Sequence, residues 1–131
     1  MGIELLLGHL VGDYLLQTNG MAVAKKNKGI EGFMACLIHC LLYTLAICVF
    51  IGLWSWLGIV AVFASHWVVD RYTWLSWLHK RFYGRMLADS CLDGTVISPE
   101  LIQNISIGAF VYIVMDNTIH LVLVYLIYWL L

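Results

Sequence analysis

Three pairs of residues limit what this chain can become. His9 and Asp13 in GHLVGD, His66 and Asp70 in SHWVVD, and Asp116 and His120 in DNTIH each set a histidine and an aspartate four positions apart inside stretches that are otherwise almost pure hydrocarbon. Five histidines and eight acids scattered over 131 residues give fewer than one such pair by chance. Residues four apart stack on one face of an α-helix, one turn above the other. A charged side chain at bilayer depth costs at least about 2.5–3.5 kcal/mol on insertion scales, so it is kept facing protein and usually for a function. The pattern therefore requires helices over these stretches and requires that the helices turn their polar pairs toward one another.

The surroundings of the pairs say what solvent the outer faces meet. Hydrophobic residues make up 63% of the chain and charged ones 11%, against about 45–50% and about 25% in a soluble domain. A helix needs about 20 apolar residues to cross a bilayer, and four stretches approach that length: about 2–19, 30–53, 56–78 and 105–131. They predict an all-α, integral membrane four-helix bundle forming a single domain. The first stretch, with His9, Asp13 and Gln17, is the least apolar and needs the others for shelter. It has no basic start and carries an acid in its middle, so it is expected to remain rather than to be cleaved as a signal peptide. Lys25, Lys26 and Lys28 fall in the 20–29 connection and Lys80, Arg81 and Arg85 in the 79–98 connection, while the link around Gly52 to Trp56 has no basic residue. By the positive-inside rule both basic loops are cytoplasmic and the N- and C-termini lie outside, which is the expectation for a multi-pass protein of a bacterial inner membrane. Ser98, Pro99 and Glu100 predict a helix start at Pro99, with a bend near Gly108. A formal charge of −1 gives no reason to expect a nucleic-acid partner.

With helices alternating in direction, each pair places its histidine about one turn nearer the outer surface than its aspartate. His39 joins from the second stretch at a similar depth. The ligand candidates are thus His9, Asp13, His39, His66, Asp70, Asp116 and His120. A lone intramembrane histidine is ordinarily a hydrogen-bonded helix contact, and a lone aspartate is ordinarily neutralised by a base. Arg71 beside Asp70 is the only base at that depth on this reading, which leaves two carboxylates to account for. A divalent cation satisfies carboxylates and imidazoles together. Imidazole with carboxylate favours zinc, with manganese or iron as lesser alternatives, over calcium and magnesium. Seven candidate ligands allow two ions and an open position where water becomes acidic enough to attack an ester. Gln17, four past Asp13, and Tyr43, four past His39, suit either ligand orientation or plain helix contact. Cys36 lies on the His39 face, but the cysteines read as small core residues. His79 reads as interfacial, and the six tryptophans as an aromatic belt.

The segments GHLVGDYLLQTNGMAVAKK, HCLLYT, SHWVVDRY and DNTIHLVLVYL resemble, over essentially the whole chain, the DUF3307 family of small bacterial and phage integral membrane proteins. The spacing is similar more distantly to inner-membrane metal-dependent hydrolases and to zinc phospholipases C. That resemblance implies a membrane-embedded metal-dependent hydrolase acting on a phosphoester or related bond of a lipid or lipid-linked substrate. Asp70 and Asp13 would serve the chemistry, with Gln17 and Arg71 assisting, and membrane lipids would be the main partners. Three rival expectations use the same residues: a divalent-cation or proton transporter, homo-oligomeric in its channel form, a structural metal protein, and a haem protein, the last of which leaves the aspartates without a role.

Overall fold

The computed structural model describes residues 2–72, 77–78, 81 and 99–131, with side chains in the last segment from residue 106 onward. Among the described residues the regular structure is entirely helical. The order is α1 (Gly2–Leu10), a π-helical turn (Val11–Leu15), α2 (Asn19–Ala24), α3 (Ile30–Ile51), α4 (Trp56–Arg71) and α5 (Pro99–Leu130). The chain divides into one compact unit, Met1–Tyr72 with Ile119–Leu131, and a second, Thr73–Thr118. Most of the expected basic loop at 79–98, with His79, Lys80, Arg85 and Cys91, lies outside the described residues.

In the first unit α3 is the central element, packing against α1, the π turn, α2 and α4. Its ends are set by local chemistry. Gly52 takes a left-handed conformation (φ 67°), and the Leu53 amide donates to the Cys48 carbonyl at 3.1 Å, closing the last turn in a Schellman arrangement. Two residues later Ser55 caps α4 by accepting from the Gly58 amide at 3.1 Å. The turn expected around Gly52–Trp56 is therefore built from a glycine stop followed by a serine start. Leu5, Tyr43, Ile47, Leu53, Val62 and Val124 form the apolar core.

Three expectations change in detail. The stretch 2–19 is not one α-helix: Leu16 donates to the Val11 carbonyl at 2.9 Å, a five-residue step that inserts a wide turn around Asp13. The connection 20–29 is not plain loop, because Thr18 accepts from the Met21 amide at 3.2 Å and starts the short helix α2. The stretch 56–78 is helical to Arg71, where Tyr72 turns extended, and residues 77–78 are helical again. The last helix begins at Pro99 as predicted and is helical through Gly108.

Among the described residues two helices, Ile30–Ile51 and Ser106–Leu130, are long and apolar enough to cross a membrane. Besides its apolar core, the first unit buries polar side chains and leaves large apolar ones on its surface. His9, His39, His66, His120 and Asp70 are buried, while Ile38, Leu41, Leu45 and Val49 of α3 and Val122, Leu126 and Trp129 of α5 are exposed.

Candidate metal centre

Four elements of the first unit deliver one or two polar side chains each to a common point. The π turn brings Asp13, α3 brings His39, α4 brings His66 and Asp70, and the start of the α5 segment brings His120. His39 Nε2 lies 3.0 Å from His66 Nε2, 2.9 Å from Asp70 Oδ2 and 3.2 Å from Asp13 Oδ1. His66 Nε2 lies 3.3 Å from Asp70 Oδ2 and 3.5 Å from Asp13 Oδ1. Zinc held at about 2.0–2.1 Å by tetrahedral nitrogen and oxygen ligands sets those ligands about 3.3 Å apart. These separations therefore have the size of the edges of one coordination tetrahedron. His39, His66 and Asp70 form one metal-capable group, and Asp13, His66 and His120 form another that shares His66.

Proton counting shows why hydrogen bonds alone serve this cluster poorly. A neutral imidazole carries one N–H. Protons on both His39 Nε2 and His66 Nε2 would point at each other across 3.0 Å, so at least one of these nitrogens presents a lone pair. Asp70 Oδ2, Asp13 Oδ1 and the Gln17 amide oxygen surround the same space. Asp13 Oδ1 is sealed from solvent, and among the described residues no donor is well aligned with it, although His39 Nε2 is 3.2 Å away. Lys25 Nζ donates to Asp70 Oδ2 at 2.7 Å and to the Gln17 oxygen at 2.9 Å, yet Asp13 Oδ1 and an imidazole lone pair still lack a proton, and a metal cation is a group that answers both.

The neighbouring residues hold the cluster in place. His66 stacks on Tyr43 with ring centroids 3.6 Å apart and planes 11° from parallel, and the Tyr43 hydroxyl is 3.1 Å from His9 Nδ1. His9 Nδ1 is also 3.4 Å from Asp13 Oδ2, so His9 stands beside the tetrahedral set and contacts its outer oxygen. Tyr43 can approach the π turn this closely because Gly12 has no side chain: a Cβ there would lie 2.7 Å from the tyrosine ring. On the other side His66 Nδ1 is 3.0 Å from His120 Nδ1, and His120 Nε2 is 3.7 Å from Asp70 Oδ1.

Of the predicted residues, His9, Asp13, His39, His66, Asp70 and His120 are brought together, and Gln17 joins them. In the amide orientation that satisfies both its ends, Gln17 accepts from Lys25 Nζ at 2.9 Å and from His39 Nε2 at 3.1 Å. Asp116 stands one turn before His120 on α5, half-buried, in the part of that helix belonging to the second unit. Arg71 does not pair with Asp70. Its Nη1 instead donates to the Lys25 and Asn27 carbonyls, both at 2.8 Å, and ties the α2 segment to the end of α4. Cys36 and Cys40 are buried with sulfurs 3.9 Å apart and join neither metal-capable group. Lys25, which the sequence placed in a basic loop, is brought to the cluster instead, a contact that sequence reasoning missed: its Nζ sits 2.7 Å from Asp70 Oδ2. Counting charge offered the signal: three carboxylates at depth with one neighbouring arginine call for another cation, and Lys25 is the first lysine after the Thr18 cap.

Among the described residues, fold and site together define a helical protein with two helices able to span a membrane and a buried histidine–aspartate cluster able to hold a metal ion. The chain belongs to the family described as protein of unknown function (DUF3307), whose model matches residues 1–131. No curated protein and no solved structure matches it.

Proposed function

We propose that this is a multi-pass protein of a bacterial inner membrane that holds a zinc-class cation and hydrolyses a phosphoester or related bond of a lipid or lipid-linked molecule. One observation carries the metal assignment: two imidazole nitrogens 3.0 Å apart are surrounded by carboxylate oxygens at the edge lengths of a tetrahedral shell. Four buried imidazoles, together with a surface on which many leucine, isoleucine and valine side chains are exposed, support a hydrocarbon solvent around the first unit. Two histidines and one carboxylate with a fourth position left open is the ligand set of many zinc hydrolases. His39, His66 and Asp70 supply it.

Asp13, the more exposed of the two carboxylates at 10% against 3%, sits at the fourth corner; with a water in that corner, its carboxylate would be placed to accept a proton from the attacking water. Gln17 and the Tyr43–His9 contact hold Asp13 and His66 in register. The cation would polarise the bond under attack and stabilise the negative charge that develops on the substrate oxygens. A second ion would draw on His9 and His120, which flank this set. A substrate reaching so apolar a surround is expected to be an amphiphile.

Metal analysis of detergent-purified protein tests the reading. Wild type is expected to retain roughly one zinc per chain through chelator-free purification, and a His39→Ala, His66→Ala double variant to lose it. Asp13→Asn should still take up zinc through His39, His66 and Asp70, with affinity lower on the order of 10-fold, and should lose hydrolysis of vesicle phospholipids. A folded, stable and metal-free wild type would sink the proposal. A second reading, proton transfer across the bundle, is favoured by the His39–His66–His120 chain, in which successive ring nitrogens are 3.0 Å apart. Metal-free protein that acidifies liposomes would select it.

A further inference from the structure

Lys25 does not behave as a loop lysine. Its ammonium lies 2.7 Å from Asp70 Oδ2 and 2.9 Å from the Gln17 amide oxygen. Asp70 Oδ2 is also the atom that stands 2.9 Å from His39 Nε2 and 3.3 Å from His66 Nε2. The lysine therefore uses a carboxylate oxygen that belongs to the tetrahedral set. A divalent ion about 2.0–2.2 Å from Oδ2 would lie less than about 5 Å from Nζ, where two positive charges repel strongly in a surround of low dielectric. Both cations cannot hold these positions together.

The backbone around Lys25 is arranged to let only the side chain move. Arg71 Nη1 fixes the Lys25 and Asn27 carbonyls, and Thr18 caps the helix that leads into them. Lys25 itself is 13% exposed, whereas His39 and His66 are sealed, and Lys26, Asn27 and Lys28 next to it are exposed. An ammonium leaving Asp70 has water within reach of its four-carbon stem.

The geometry points to Lys25 as the affinity-determining residue of this cation site: its ammonium stands in for the metal on Asp70 and must be displaced before a divalent ion binds. The inference rests on the metal assignment above. It gives the charge at position 25 control over how tightly, and at what free metal concentration, the centre fills. With no metal present the lysine keeps Asp70 compensated inside the bundle, and with metal present its side chain turns toward the exposed edge.

Zinc titration of detergent-solubilised full chain, stripped with chelator and read by competition against a chromophoric chelator, tests this. Lys25→Met and Lys25→Gln are expected to bind zinc at least tenfold more tightly than wild type, because each removes the competing charge. Lys25→Arg keeps the charge and should stay within about threefold of wild type. Without metal, Lys25→Met should melt at a lower temperature than wild type, and zinc should raise its melting temperature by more than it raises that of wild type. Wild type that binds zinc with the same affinity as Lys25→Met and Lys25→Gln, or more tightly, overturns the role of Lys25 and leaves the metal assignment standing. Absence of stoichiometric zinc from all four proteins overturns both.

Discussion

Replacing Gly12 by alanine adds one methyl group at the closest approach between the π turn and α3. The new Cβ would lie 2.7 Å from Tyr43 Cδ2, 3.1 Å from Tyr43 Cα and 3.3 Å from Tyr43 Cγ. The ring cannot simply swing aside, since it is stacked on His66 at 3.6 Å and its hydroxyl holds His9. The Cα cannot move without α3. An ordinary contact of at least 3.4 Å then requires the π turn to retreat by about 0.3–0.7 Å. Overpacking of this kind costs about 1–3 kcal/mol, and the better helix propensity of alanine returns about 0.5–1 kcal/mol, leaving a net loss centred on about 1 kcal/mol. Asp13 follows Gly12 directly, so its carboxylate shifts against His39 by more than the roughly 0.2 Å that a metal site tolerates, and zinc affinity should fall on the order of 10-fold or more. Equilibrium unfolding in detergent, followed by tryptophan fluorescence, and chelator competition measure the two effects. Gly108→Ala is the control: a Cβ there meets nothing within 4 Å, so it should be neutral or stabilising by up to about 1 kcal/mol. If Gly12→Ala equals wild type in both stability and metal affinity, the tight packing that positions Asp13 is not what organises the site.

Two other substitutions test the polar contacts. Asp70→Asn keeps the shape but leaves Lys25 and His39 facing a neutral amide. Breaking a buried pair costs about 3–5 kcal/mol, and the partial exposure of Lys25 lets it escape to water, so a loss of about 2–3 kcal/mol is expected in metal-free unfolding. A loss under about 0.5 kcal/mol would mean that the pair is idle. Tyr43→Phe removes only the hydroxyl contact to His9 Nδ1 and should cost about 1–2 kcal/mol while leaving the His66 stacking intact. Unchanged stability there would assign Tyr43 to packing alone.

The helices and the residues of the cluster were legible in the chain itself, for a physical reason. Hydrophobic runs near membrane length report helices because only a helix satisfies its own backbone in hydrocarbon, and a four-residue spacing reports which side chains share a face. Pro99 marks a helix start that local chemistry makes nearly independent of the rest of the molecule, whereas the sequence shows only a connection where the glycine stop at Gly52 and the serine cap at Ser55 lie. Hence His9, Asp13, His66, Asp70, Asp116 and His120 are marked as ligand candidates by their spacing and apolar surroundings, and His39 by its depth in the second apolar stretch. What the spacing could not supply is distance across helices. The π turn around Asp13, the methyl-sized gap at Gly12 that Tyr43 fills, the diversion of Arg71 to backbone carbonyls, and the arrival of Lys25 at Asp70 each depend on how elements far apart in sequence meet. A lysine 45 positions from its carboxylate has no local signature, because its place is chosen by the charge left over once every helix has docked. The residues of the cluster are written in the chain; which cation answers them is decided only where the helices converge.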